Sequence, residues 1–585
     1  MKNILTRITD FLWLGGPIFT KELIVSSRRR RNYFVRFAYP ALLAFFVVSY
    51  WMNINNYSGS TSAILQVARM AQAGIQITTV VVWFQFIVVQ VLAVIMLSTA
   101  ISDEIYHKTL GVLMTTPISS FQIVFSKLLS KLYQLILILG ISLPLLAIIR
   151  VFGGVPWSYV LSSLCITLTA SIFAGTLSLL FSIYSRQSQL VVTRTILTCF
   201  FIYAMPMIAY RILQSGLLGA TSVQNLIPAL GLFFINPFML MLSMTATMHS
   251  ASGVIDTGVW LWPCAAMLGL SAIVLMWSSI CVRKAGLRQI TGQAGMFLTR
   301  KERRIAAKKQ RMIYSNTLIS GKIRDIKWPP IIWREVANPL LKQNRIGYVF
   351  GIGLAVTLLI AAYGLCIYFG VLTSPGTQIV FALIYYFIAL VRTSTFASTS
   401  ITSEKESRTW PILLTSPLTG KEISFQKIIG SCLRAWPYWS LLVTHLFVFI
   451  LLGTISVLII IPLSLLFASS VLLVSAIGVM FSSICKRSST SSSLNIISFL
   501  LFVSPVCCVP LFIGSPIFAA LAIFAKWAGF SGGGDSFGFL PPSADDGLWS
   551  ILFSSYFFIF YVIVYLLLAL AAYAISVNHI RWRIL

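Results

Sequence analysis

Apolar runs long enough to cross a bilayer alternate along this chain with short, cation-rich polar stretches. A membrane-crossing helix needs about 20 mainly apolar residues. Six such runs lie in the first half, at about 34–53, 76–101, 129–150, 157–184, 191–213 and 258–282. Six more follow at about 347–371, 377–400, 430–453, 455–484, 492–514 and 549–577. Two further apolar stretches, 226–247 and 511–530, are interrupted by Asn236-Pro237 and by Gly514 and Pro516, and read as re-entrant or outer-surface helices. Counted as spans, they would raise the total to fourteen. The pattern predicts an all-α polytopic membrane protein of about 12 transmembrane helices.

The two halves repeat. Residues 101–127 and 401–427 align without a gap at an offset of 300, with nine of 27 positions identical. These are Ile101/Ile401, Glu104/Glu404, Thr109/Thr409, Leu113/Leu413, Thr115/Thr415, Pro117/Pro417, Ile123/Ile423, Phe125/Phe425 and Lys127/Lys427. Roughly two matches would be expected by chance at average residue usage. The offset persists to Phe181-Ser182 against Phe481-Ser482. Because each copy holds six spans, an even number, the copies are expected to run parallel, related by an axis along the membrane normal.

The aligned segment follows the second span of each copy. Glu104 and Glu404 lie just past the end of that span, and Pro117 and Pro417 stop any preceding helix. Ser119 with Gln122, and Thr419 with Glu422, then form capping boxes that start the next helix. A short helix, a break and a capped helix re-entering the bilayer are expected. Leu113, Met114, Leu413 and Leu414 give the short element an apolar face, suited to the membrane surface or to a soluble partner. Each copy also opens alike, with Lys21-Glu22-Leu23 and with Arg334-Glu335-Val336. In the second, Ile332, Val336 and Leu340 share one helical face, as in a helix lying along the interface.

Charge orients the chain. Of 585 residues, 43 are Lys or Arg and 14 Asp or Glu, a net charge of +29, with 58% hydrophobic and 10% charged residues. That composition excludes soluble and disordered classes. The cations crowd alternate loops: the N-terminus, 108–131, 186–194, 283–345, 405–434, 486–487 and 581–583. Cation-rich short loops stay cytoplasmic, so both termini and the centre are expected inside. Three parts follow: a first repeat at 1–282, a basic linker at 283–328 and a second repeat at 329–585. The linker is either a topology signal attracted to anionic headgroups or a contact for a partner. The first apolar run starts near Phe34, so insertion is expected through the chain's own first span rather than a cleaved signal. No aromatic-interleaved basic patch lies outside these loops, and a nucleic-acid partner is not expected. The nine cysteines lie in or beside apolar segments without zinc spacing and read as small apolar fillers.

The segments Asp103 to Ser119 and Glu404 to Thr419 resemble the E-x-E-x-G-T-x-x-x-L-L-x-[ST]-P-[LIV]-[ST] loop of type-2 permeases of ATP-binding-cassette (ABC) exporters. Lys21-Glu22-Leu23 and Arg334-Glu335-Val336 resemble the K-E-[LF] that opens such permeases. The six-span unit is similar too, and the family usually pairs six-span chains, which implies a fused pair here. The resemblance implies that the loops 103–127 and 403–427 couple to a separate ATPase through Glu104, Thr109, Thr115, Pro117, Glu404, Thr409, Thr415 and Pro417. The copies depart from the pattern unequally. Ile105-Tyr106 stands where the second has Lys405-Glu406, and the family's glycine falls at His107-Lys108 and Ser407-Arg408. Unequal docking sites are expected.

No G-x-x-x-x-G-K-[ST] loop occurs, because Gly321-Lys322 and Gly420-Lys421 are followed by Ile and Glu. No nucleophile triad or zinc helix is visible, and the four histidines are dispersed. The chain is expected to be no enzyme and to hold no metal or cofactor. ATP and Mg would sit on partner ATPase subunits, two copies suiting two loops. The expected role is the permease of an ATP-driven exporter, multi-pass in the cell inner (plasma) membrane. The alternative is a parallel-repeat secondary transporter driven by an ion gradient, whose ionisable candidates are Arg392, Arg194 and His445.

Overall fold

The structure, a computed structural model, describes residues 18–28, 36–44, 63–107, 109–116, 118–153, 155–185, 188–216, 236–249, 257–290, 329–337, 375–453, 460–503 and 547–584, with isolated positions at 33, 47–48, 359, 363–364, 366–367 and 372. Among these residues all regular structure is helical, and eight helices are long and apolar enough to cross a membrane. The chain is a multi-pass membrane protein. Most of the span expected at 347–371, the stretch 511–530, most of the linker and Pro117 lie outside the described residues.

The described residues fall into two compact units, one ending at Ile290 and one beginning at Pro329. After a helical segment at 18–27, the first unit comprises α1 (Ala63–Tyr106), α2 (Leu110–Met114), α3 (Ser120–Gly153), α4 (Trp157–Tyr184), α5 (Ser188–Gly216), α6 (Pro237–His249) and α7 (Thr257–Ile290). The second comprises α8 (Pro330–Ala337), α9 (Pro375–Thr399), α10 (Thr402–Glu406), α11 (Trp410–Leu414), α12 (Gly420–Leu451), α13 (Ile460–Ile484), α14 (Ser488–Val503) and α15 (Gly547–Ile584).

Within the first unit α4 packs on α1, α5 and α7, while α3 packs on α1 and α7. Within the second, α13 packs on α9, α14 and α15, while α12 packs on α9 and α15. The long helices α1, α3, α4, α5 and α7 therefore have the same order and main neighbours as α9, α12, α13, α14 and α15, while α6 has no counterpart among the described residues.

Several local features follow directly from sequence. Thr419 caps α12 reciprocally: its N–H donates to Glu422 Oε2 at 2.8 Å, and the Glu422 N–H donates to its hydroxyl at 3.3 Å. Ser119 accepts from the Gln122 N–H at 3.2 Å in the same way. The interruption at Asn236-Pro237 is a helix start, with Asn236 Oδ1 accepting from the Phe238 N–H at 3.0 Å. The α6 that follows has 13 residues, while residues 226–235 of the stretch expected as a re-entrant or outer-surface helix lie outside the described residues. Serines and threonines within the spans mostly donate to their own helix one turn back, as Thr167 does to Ser163 O at 2.7 Å and Ser171 to Thr167 O at 2.6 Å. This satisfies them without water.

Two glycines set close helix contacts. A Cβ on Gly175 of α4 would meet Leu97 Cδ1 at 2.5 Å. A Cβ on Gly478 of α13 would meet Ala397 Cβ at 2.6 Å and the Ser398 backbone N at 3.0 Å.

Candidate functional site

The site is built twice, around a lysine at the start of the span after each loop. Lys427 is fully buried on α12. Its ammonium donates to Ser400 O at 2.9 Å, to Glu404 Oε1 at 2.5 Å and to Glu335 Oε1 at 2.6 Å. One cation thus ties together the end of α9, the loop helix α10 and the entry helix α8. Arg334 also pairs with Glu404, and Arg434 reaches Glu335 at 3.4 Å. An ammonium can be buried only with such partners, because desolvation is costly. Here three donor bonds use all three of its hydrogens.

Lys127 occupies the same place in the first unit. It donates to Ala100 O at 2.7 Å and to Glu104 Oε1 at 2.9 Å, with Glu22 at 3.8 Å. Lys131 pairs with Glu22 at 3.3 Å. Ala100 and Ser400 stand at the repeat offset, as do Ser182 and Ser482. Ser182 Oγ accepts from the N–H groups of Ile101 and Ser102 at 3.1 and 2.8 Å, and Ser482 Oγ from those of Ile401 and Thr402 at 2.9 Å each. The repeat detected in the sequence is thus a repeat of buried polar contacts.

Glu22 and Glu335, expected in interfacial segments with Lys21 and Arg334, turn inward to this clamp, while Lys21 is exposed. The buried face of α8 is Ile331, Ile332 and Glu335, whereas Val336 is 53% exposed. Of the face expected through Ile332, Val336 and Leu340, Ile332 packs inward, Val336 faces outward and Leu340 lies outside the described residues. Gly430 admits α8 against α12, since a Cβ there would stand 3.1 Å from Glu335 Cβ.

Each loop threonine locks the loop. The Thr109 N–H donates to Glu104 O at 3.0 Å and the Thr409 N–H to Glu404 O at 2.9 Å. Thr115 and Thr415 are exposed, with hydroxyls on Val112 O and Ile412 O at 2.8 and 2.9 Å. Leu113, Met114, Leu413 and Leu414 are half-buried, and Met114 fits against Gly286 of α7. The outward apolar residues are Val112 and Ile412, 67% and 70% exposed at matching positions of α2 and α11. Sequence reasoning placed the apolar face one residue off, because the anchoring of α2 on α7 and of α11 near α15 decides which side faces out.

The loops differ in their bracing. Lys405 donates to Ser482 O at 2.9 Å, to Cys485 O at 3.0 Å and to Ser483 O, at the C-terminal end of α13. Glu406 Oε1 accepts from the Ser488 N–H at 2.6 Å, at the start of α14. A cation at a helix C-terminus and an anion at an N-terminus each match the helix dipole. Ile105 and Tyr106 carry no such charges. Arg408 has φ +59°, the left-handed region, at the place where the resembled motif has glycine. Thr109 Oγ1 donates to Glu104 Oε2 at 2.5 Å, whereas Thr409 Oγ1 pairs with Ser407 Oγ at 2.9 Å. Glu404 Oε2 consequently has no partner among the described residues.

Of the residues considered for an ion-driven transporter, His445 is 4% exposed with Nδ1 2.6 Å from the Tyr363 hydroxyl, which also accepts from Tyr385 at 3.0 Å. Arg392 sits against Tyr438 and Phe396.

Residues 291–531 match the family model described as ABC-2 family transporter protein. The matched region contains Arg334, Glu335, Glu404, Lys427 and the whole second loop. With the spans above, it supports an ABC-2-type permease, the membrane subunit of an ABC transporter. No match was found among curated proteins or among solved structures.

Proposed function

We propose that this chain is the permease of an ATP-driven exporter, a fused pair of six-span repeats whose loops 103–127 and 403–427 receive separate ATPase subunits. Under this reading the loops face the cytoplasm and the protein lies in the inner (plasma) membrane. ATP and Mg are held by the partner, and each unit takes one ATPase copy. Glu104, Thr109, Thr115, Pro117, Glu404, Thr409, Thr415 and Pro417 shape the coupling loops.

The observation that carries it is the clamp present in both units. A loop displaced by a partner cannot move alone, because Lys127 or Lys427 ties its glutamate to the preceding span and to the entry segment. Force on Val112 or Ile412 would therefore reach at least three elements of that unit as one body. An ion-gradient mechanism is less supported: His445 Nδ1 is 2.6 Å from the Tyr363 hydroxyl, within a cluster of tilted and edge-on aromatic rings.

Affinity purification of the tagged chain from its native membrane tests this. A P-loop ATPase is expected to co-purify, and Val112→Asp plus Ile412→Asp, both at exposed positions, is expected to release it with thermal stability unchanged. Recovery of no ATPase, together with transport driven by an ion gradient, would overturn it.

A further inference from the structure

Arg392 on α9 and Arg434 on α12 hold one aromatic ring between them. Their guanidinium carbons lie 5.1 and 4.8 Å from the centroid of Phe396. Arg392 also lies 4.7 Å over the Tyr438 ring and donates to its hydroxyl at 2.7 Å. Among the described residues no carboxylate pairs with Arg392, and the Nε groups of both arginines are shut from solvent without an acceptor. Arg434 reaches Glu335, whose Oε1 already serves Lys427. Among the described residues the linked ion pairs hold Arg334, Lys427 and Arg434 against Glu335 and Glu404, and Arg392 adds a further cation across Phe396 from Arg434.

The depth is informative. A hydrocarbon core of about 30 Å corresponds to roughly 20 helical residues. Counted back from Leu451, at the far end of α12, it ends near residue 431; counted forward from Pro375, at the far end of α9, it ends near residue 395. Both arginines therefore stand about 5 Å inside the loop-side hydrocarbon boundary, from where a guanidinium can snorkel outward to the phosphates of that leaflet. On the same helix Leu441, two turns beyond Arg434 on the same face, is 45% exposed, an apolar contact for an acyl chain.

We propose that Arg392 and Arg434, walled by Phe396 and Tyr438, form a binding site for the phosphate of an anionic phospholipid in the loop-side leaflet. Guanidinium forks match phosphate oxygens in pairs, and the unmatched positive charge favours a lipid carrying net negative charge. The positions equivalent by the repeat offset are Leu92, Met96, Gln134 and Ile138. The site is therefore confined to the second unit. It requires only that the chain lie in a bilayer and is independent of the coupling reading.

Native mass spectrometry of the full-length chain tests it, with phosphatidylglycerol and phosphatidylcholine of matched acyl chains. Wild type is expected to retain phosphatidylglycerol about tenfold better, the scale of charge-assisted hydrogen bonds. Arg392→Gln plus Arg434→Gln is expected to abolish the preference. Arg283→Gln plus Lys284→Gln, which removes two exposed cations of the first unit, is expected to leave it intact. Should the double arginine variant not fold, Arg392→Gln alone, which breaks no ion pair among the described residues, is expected to lose most of it. Equal retention of the two lipids by wild type would overturn the proposal, as would a preference that survives the arginine substitutions. Equal loss in the Arg283/Lys284 control would reduce it to general surface charge. Full displacement by millimolar inorganic phosphate would assign the site to the free ion instead.

Discussion

The two units share one plan and differ in how firmly the plan is closed. In the first, the clamp joins Lys127 and Lys131 to Glu22 and Glu104, whose side chains are 25% and 21% exposed, so water shares the charge. In the second, Lys427 is fully enclosed with Glu335 and Glu404 at 11% and 8%, and two arginines add to the network. The second loop is further held by Lys405 and Glu406 at two helix ends. The same polar chemistry is therefore a partly solvated contact in one unit and a dry joint in the other. Burial, not the identity of the residues, sets what the contact is worth.

The largest expected effect breaks the comparison at its centre. Lys427→Met leaves two carboxylates enclosed without their common partner and should cost about 3–5 kcal/mol. Lys127→Met should cost markedly less, because its carboxylates can rehydrate. Thermal unfolding of the two variants in one detergent checks this, and equal losses would refute it.

A second contrast lies in the helix contacts. Gly478→Ala presses a methyl against Ala397 and backbone and should cost about 1–3 kcal/mol. Gly175→Ala meets the free end of Leu97, which can turn away, and should lower Tm less.

Third, Glu406→Gln weakens the cap on α14 by about 0.5–1 kcal/mol. Hydrogen exchange at 485–490 should quicken, with little change elsewhere. The smallest effect sharpens the difference rather than breaking it. Arg408→Gly relieves a left-handed residue and should stabilise the second loop by about 1 kcal/mol, read as a rise in Tm.

Much of this was legible in the chain. The span pattern gave the helical class, and the capping boxes at Ser119 and Thr419 marked where α3 and α12 begin. The offset of 300 aligned loops that share their locking bonds. Lys127 and Lys427 were visible as identities, but nothing local said that a lysine opening an apolar span would be buried. Its carboxylates come from about 23 and 92 residues away for Lys427, and only the packing of α8 and α9 on α12 brings them together. The close approach of α8 to α12 depended on Gly430, and the outward turn of Val112 and Ile412 on the anchoring of α2 and α11. Periodicity over five-residue helices is too short to decide such a face. Arg392 and Arg434 were far apart in sequence, and Phe396 between them looked like any apolar residue of a span.

The most direct measurement places a photocrosslinking amino acid at Val112 or Ile412 in the native membrane and identifies the adducts by mass spectrometry. Both positions should yield an adduct to a P-loop ATPase, with neighbouring buried positions Leu110 and Trp410 yielding none. Adducts only to lipid at both exposed positions would contradict the account.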